Sequence, residues 1–398
     1  MKRRDFMCAA VPGALALLNA QLWAAGPGDA KLLVVMLRGA YDGASLLVPY
    51  SSEFYYRSRP GIAVPRPDSR GPDSGVALDA DWALNPVVKD SLHAMYAAKQ
   101  ALFIPFSGSE DLSRSHFQAQ DLMELGQGSG ALDYSSGYLN RLVEALAGGA
   151  PAGISFTNNL TPVFKGAIPV PNISLRGNMQ NNLPPRQSEL IAALYEGTAL
   201  SGMATAGIET RKMVSGELMT EMTESSRGAG PARAFESRAR AMAKLMRDRS
   251  AYSIGFADVG GWDTHVDQGS AQGALAANLA GLSSGLAVYA REMGALWKST
   301  VVVVMSEFGR TFRENGNRGT DHGHGNTLWV LGGGIAGGRI AGRQIAVSEA
   351  SLFQNRDFPV LNDYRSVLAD LFARMYGLGG EALGRVLPGA KAEDYGFI

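Results

Sequence analysis

Aspartate, glutamate and histidine recur in four short stretches of this 398-residue chain, each beside the end of an apolar run. Asp42 follows the run Lys31–Leu37, and Asp263 and His265 follow Tyr252–Ala257. Glu307 follows Val301–Met305, while Asp321, His322 and His324 precede Thr327–Leu331. A fifth stretch, Ser113-Arg114-Ser115-His116, offers two hydroxyls, a guanidinium and an imidazole at what reads as the start of a helix, a position suited to anions. Four of the five histidines lie in these stretches; the fifth, His93, sits in a helical pattern and reads as a packing residue. Carboxylates and imidazoles without cysteine suit a divalent metal, zinc first, with manganese or calcium as alternatives. A lone Asp-x-His is more often a turn or capping residue. It is the joint placement at successive strand ends that favours a metal.

The elements that must bring these residues together follow from periodicity. The β-branched run Val301–Met305 and the run Lys31–Leu37 suit strands buried on both faces of a parallel sheet. In open α/β sheets, ligands bind just outside the strand C-termini. Ala101–Phe106 reads as a further strand, and 85–100, 137–146, 271–297 and 363–376 read as helices. Tyr252–Ala257, the long Ala/Leu-rich helix 271–297 and Val301–Met305 make a β-α-β unit. Residues 50–75 read as a surface excursion. Residues 186–249 read as a helical insertion over the sheet, with the basic run 238–249 as a solvated helix face.

Two literal motif matches are set aside. Gly332, Gly334 and Gly337 have dinucleotide-binding spacing, but no helix follows them. Gly281, Ser283 and Gly285 match the hydrolase serine pattern, but inside a helical pattern rather than at a strand-to-helix turn.

Composition sets the outer limits. The chain is 46% hydrophobic and 19% charged, which is ordinary globular composition with length enough for a large core. Its formal charge of zero gives no basic field for nucleic acid. The N-terminus carries Arg3-Arg4, an apolar stretch over 9–18 and small residues at Ala24-Ala25, the order of a twin-arginine signal peptide over residues 1–26. The apolar stretch is shorter than the ~20 residues that span a bilayer, so no stable membrane insertion is expected after cleavage. The expected location is periplasmic or secreted. The single cysteine, Cys8, lies in that segment and leaves no thiolate ligand or disulfide beyond it.

The motifs RGAYDG, SRSHFQAQD, GGWDTH, SEFGRT and DHGHGN, in this order, resemble the bacterial twin-arginine-exported family known as domain of unknown function 1501. That family is similar to the alkaline phosphatase and sulfatase superfamily. The resemblance implies a single α/β domain over 27–398, a three-layer αβα sandwich with a central, mostly parallel sheet. It implies a one- or two-metal site at the strand ends, with Asp42, Asp263, His265 and Glu307 as ligands and the last histidine supplied by His322 or His324. Phe308 stands where a further ligand is expected, and Asp321 could replace it. Ser115 takes the nucleophile's place, with Ser113 as the fallback. Arg114 or Arg310 would bind the anionic oxygens, and His116 would protonate a leaving group or add a ligand. The implied activity is hydrolysis of small phosphate or sulfate esters. The competing expectation is a non-catalytic binding or structural protein on the same scaffold, favoured by Phe308 and by glutamate at 307. Oligomeric state is not legible.

Overall fold

The computed structural model describes residues 30–69, 71–130, 132–146, 152–175, 193–198, 201, 231–249 and 251–397. The segment 1–26 expected to be a signal peptide lies outside them, as does 186–230 apart from 193–198 and 201. Among the described residues the main sheet has eight strands: β1 Lys31–Leu37, β2 Ala101–Gly108, β3 Ala152–Ser155, β4 Tyr252–Val259, β5 Thr300–Ser306, β6 Asn326–Gly332, β7 Arg339–Ile340 and β8 Asn362–Asp363. They run in the order β7-β2-β6-β5-β1-β4-β3, with β8 also pairing β2. Every pairing is parallel except those of β6, which is antiparallel to β2 and β5. Because of that reversal, β6 begins at the edge where β1, β2, β4 and β5 end. The loop from Glu307 to Gly325 therefore never leaves that edge.

Both strand faces are buried, which is why the core strands are apolar throughout. Leu33 and Val35 of β1, with Val302 and Val304 of β5, face helices α4 (Pro231–Asp248) and α5 (Ala274–Met293). Leu32, Val34 and Met36, with Val301, Val303 and Met305, face α2 (His116–Leu125), α3 (Tyr138–Ala145) and α6 (Tyr364–Tyr376). The result is a three-layer αβα sandwich. Each buried Val, Leu or Met contributes roughly 1.5–3 kcal/mol, so β1 and β5 alone anchor the site's edge firmly. A short helix after β1, α1 (Glu53–Ser58), leads to Arg59.

Several expectations are refined. The strands β4 and β5 are linked through α5 as foreseen, but β1 lies between them. The single helix expected over 85–100 is a 3₁₀ turn, a π turn and an α turn in succession, started by Asn85 capping Val87 ahead of Pro86. Ser283 is buried within α5 and bonded to Ser91, and Gly285 lets Phe235 of α4 pack close, so the serine match is helix packing. Among the described residues no helix is long and apolar enough to cross a membrane.

Candidate metal centre

Glu307 follows the last residue of β5 and is fully buried. A carboxylate so buried needs donors. Gly39 N (2.8 Å), His116 Nδ1 (2.8 Å) and Gln120 Nε2 (2.9 Å) reach Oε1, and Ser306 Oγ (2.8 Å) reaches Oε2. Burial pushes the Glu307 carboxyl up, but the bonds from His116, Gln120 and the backbone outweigh it and hold it below its usual range. Gly39 can approach only as glycine: its φ is +114°, and a Cβ would lie 2.8 Å from the Asp263 nitrogen.

An ionised Glu307 sets the tautomer of His116. Nδ1 carries the proton, so in the neutral ring Nε2 presents a lone pair. The same bond holds the His116 pKa above its ordinary value. His322 is fixed likewise, because its Nδ1 lies 3.0 Å from the Arg114 carbonyl oxygen, which can only accept. Burial and then the neighbouring His116 hold the His322 pKa below its ordinary value. The two Nε2 atoms lie 3.0 Å apart, with Asp263 Oδ1 3.3 Å from His322 and Oδ2 3.5 Å from His116.

Facing lone pairs at such distances repel unless a proton or cation lies among them. A tetrahedral site with arms of ~2.0–2.1 Å has edges of about 3.3 Å, near the 3.0 Å between the two Nε2 atoms and the 3.3 Å from His322 Nε2 to Asp263 Oδ1, while His116 Nε2 faces the other carboxylate oxygen, Oδ2, at 3.5 Å. His116, Asp263 and His322 thus form a possible metal site, their donor atoms all within 4.8 Å of one another. Calcium, which takes 6–8 oxygen ligands, does not suit a set with two nitrogens.

His265 stands at the outer side. Its Nδ1 lies 3.1 Å from Asp321 Oδ1, and its Nε2 lies 2.9 Å from Asp263 Oδ1 and 3.1 Å from His322 Nε2. Both ring nitrogens thus face a carboxylate. The side chains of His116, His322, His265 and Asp263 are 23%, 27%, 39% and 42% exposed, so the centre opens to solvent rather than closing like a structural site. Phe308 stacks on His116, with ring centroids 5.0 Å apart, and leans on His322 at 5.3 Å, an apolar wall where a ligand was expected. Asp263, Glu307 and Asp321 outnumber the Arg310 guanidinium by two negative charges, which a divalent cation would balance.

Five expected ligands lie outside the donor set: His265 stands beside it, and the other four are held elsewhere. Asp42 is fully buried and gripped by both Arg59 Nη atoms at 2.5 and 3.1 Å, with Ser45 Oγ at 2.7 Å and Gln268 Nε2 at 2.6 Å, so its oxygens are already used. Glu307 backs His116, and Asp321 backs His265 while accepting from Asn315 Nδ2 at 3.1 Å. His324 is buried against Phe353, ring centroids 5.0 Å apart, which leaves His322 as the histidine at the centre.

Both arginines expected to bind anionic oxygens are also committed. Arg310 is fully buried and donates to Asp263 Oδ1 (2.5 Å), to Thr320 Oγ1 (3.1 Å) and to the Thr320 carbonyl. Burial pushes the Asp263 carboxyl up, but this guanidinium outweighs it and holds it low. The Arg114 guanidinium binds Asp357 (2.8 Å) and Gln354 (3.0 Å). Ser115 is the N-cap of α2, directly before His116, and its hydroxyl makes no capping bond. The fallback Ser113 is tied to Asp111 at 2.5 Å.

The SEFGRT and DHGHG motifs pair as a returning hairpin: Gly309 N bonds the His324 carbonyl, Gly323 N the Gly309 carbonyl, and Thr311 N the Asp321 carbonyl. A Cβ on Gly323 would meet the Arg310 backbone at 2.4 Å. Gln120 escaped sequence reading although its i,i+4 spacing from His116 places both on one helix face. Arg59 and Gln268 carried no local signal. Removing the charge behind His116 gives a first prediction. Glu307→Gln is expected to weaken zinc binding by about 10–100-fold, as loss of a ligand's backing partner does. Competition with a chromophoric chelator measures it.

The chain matches, over residues 29–388, the family described as "Protein of unknown function (DUF1501)". No curated protein matches it. Among solved structures it is similar to a protein in the alkaline phosphatase superfamily from Vibrio parahaemolyticus, at 10% identity and a TM-score of 0.35, covering 76% of this chain and 60% of that one. It is also similar to the lipoteichoic acid synthase LtaP from Listeria monocytogenes, at 7% identity and a TM-score of 0.34, covering 92% and 74%. The chain thus spans less than two thirds of the first of these proteins.

Proposed function

The chain belongs to the DUF1501 family of proteins of unknown function, and we propose that it is an exported, metal-dependent hydrolase of phosphate or sulfate esters. The observation that carries this reading is the pair of histidines, His116 and His322, whose Nδ1 atoms are each bound to an acceptor and whose Nε2 atoms converge with the Asp263 carboxylate. Two imidazoles and a carboxylate with an open side are the donor set of hydrolytic zinc, with manganese as the alternative. When bound, such an ion supplies Lewis acidity toward a phosphoryl or sulfuryl oxygen.

The chain's own residues then take these roles. Ser115 is the nucleophile, its hydroxyl uncommitted to the cap and next to a ligand. The free amides of the first turn of α2 favour the anionic group. Ser115 Oγ releases its proton to solvent and bonds to phosphorus or sulfur as the ester oxygen leaves, and His265, held between Asp321 and Asp263, gives that oxygen a proton and takes one back from the water of the second step. Water then cleaves the serine ester and frees the hydroxyl. Export rests on the twin-arginine segment.

The test is Ser115→Ala. It should keep its metal and lose at least about 100-fold in hydrolysis of aryl phosphates and aryl sulfates, the order that loss of a catalytic group costs. Unchanged turnover would remove Ser115 from the mechanism. A metal-holding but non-catalytic scaffold is the second reading. It is favoured by one observation, the commitment of Arg114 and Arg310 to Asp357 and Asp263. Stoichiometric metal with no ester hydrolysis by the wild type would select it.

A further inference from the structure

Asp263 is oriented by a residue that touches neither it nor any histidine at the centre. We infer that Gln268 is a positioning residue for the Asp263 carboxylate, acting through Thr320 and Arg310. The inference rests on the metal reading proposed above. Gln268 is fully buried, five residues after Asp263 in the loop between β4 and α5. Its carboxamide is saturated. Nε2 donates to Asp42 Oδ2 at 2.6 Å and to Ser45 Oγ at 3.3 Å, and Oε1 accepts from Thr264 Oγ1 and Thr320 Oγ1, both at 2.9 Å.

The direction of each bond is forced. An ionised Asp42 can only accept, so the amide nitrogen must face it and the amide oxygen must face the two threonines. Arg310 Nε can only donate, so the Thr320 hydroxyl accepts from it and passes its own proton toward Gln268. Arg310 Nη1 then donates to Asp263 Oδ1 at 2.5 Å. The chain runs from the buried Asp42–Arg59 pair, through Gln268, Thr320 and Arg310, to the ligand.

One oxygen thereby joins two loops. Thr264 lies between Asp263 and His265, and Thr320 lies two residues before His322. Both hydroxyls end on Gln268 Oε1, so one carboxamide sets the separation of ligands contributed by β4's loop and by the loop ahead of β6. A buried amide with all its bonds made has a single low-energy orientation, and so does the guanidinium it steers.

Thr320→Val keeps the volume and cuts the link, and Thr320→Ser restores the hydroxyl. With zinc and cobalt(II) as probes on the purified protein, Thr320→Val should bind zinc about 10–100-fold more weakly in chelator competition. It should also shift the visible absorption band of the cobalt(II)-loaded protein, and Thr320→Ser should recover both readings. Thr264→Val, which cuts the other contact to the same oxygen, carries the test if Thr320→Val does not fold. Wild-type zinc affinity and an unchanged cobalt band in the folded valine variant would overturn the positioning role and leave the metal reading standing. A wild-type protein that binds neither ion would overturn both.

Discussion

His322→Ala is expected to lose bound zinc and ester hydrolysis together, whereas His265→Ala keeps the metal and loses only rate. The difference follows from where the two rings stand. His322 Nε2 is the nitrogen closest to all the others, 3.0 Å from His116 and 3.1 Å from His265, and its Nδ1 is pinned by the Arg114 carbonyl. Its removal leaves His116 and Asp263, too few donors to hold an ion against water. Metal-based charge stabilisation is worth several kcal/mol in the transition state, so the rate should fall by about a thousandfold. His265 lies on the outer side between two carboxylates, and its loss removes a proton donor, at about 10²–10⁴-fold in rate. Elemental analysis beside aryl phosphate and aryl sulfate assays separates the two. If His322→Ala retained one zinc per chain, the ligand assignment would fail. If His265→Ala lost the zinc, His265 would be a ligand rather than the acid.

Arg59→Met is expected to destabilise the fold by about 3–5 kcal/mol, the usual cost of leaving one partner of a buried ion pair uncompensated. The guanidinium and the Asp42 carboxyl are 0% and 2% exposed. Arg59 also donates to the Phe312 and Thr311 carbonyls at 2.7 and 3.1 Å and lies beside the Tyr55 and Phe312 rings, so methionine fills part of the volume but satisfies none of the acceptors. Adding Asp42→Asn should recover part of the loss, because the stranded charge is gone.

The pair also fixes a pH dependence. Burial pushes the Asp42 carboxyl up, but Arg59, Ser45 and Gln268 outweigh it and hold it below its ordinary value. A depressed folded pKa contributes stability that is complete above the unfolded value, near 4, and is lost as pH falls through the lower folded value. Thermal melts from pH 7 down to pH 2 should show this acid loss in the wild type, and Arg59→Met should lack that contribution. Equal melting temperatures for Arg59→Met and wild type at pH 7 would contradict the account.

Much of the scaffold is legible in the sequence. The apolar runs at 31–37 and 301–305 became central strands because only residues buried on both faces are apolar at every position. The helices at 137–146 and 363–376 showed their periodicity. The loops carrying Asp263, His265, Glu307 and His322 were identified as one site because strand ends in such sheets share an edge. The middle of the 186–249 insertion lies outside the described residues, and its last helix, α4, packs on α5 as part of a layer.

What local spacing left open was the rank of each polar residue at that edge. A ligand and the carboxylate behind it differ by one hydrogen bond, a few ångströms set by which strands are neighbours. Glu307 and His116 are 191 residues apart in the chain, and only the adjacency of β5 to the start of α2 makes one the backing of the other. Asp42 left the ligand set because a guanidinium 17 residues on, from an apparent surface excursion, was folded beneath it. His322 was separated from His324 by the hairpin that returns Gly323 onto Arg310, a consequence of β6 running against its neighbours. The sequence by itself determined the layers and the stock of chemistry at one edge, since burial periodicity is local. Which atoms face the centre was decided by tertiary structure alone, because those distances span the chain.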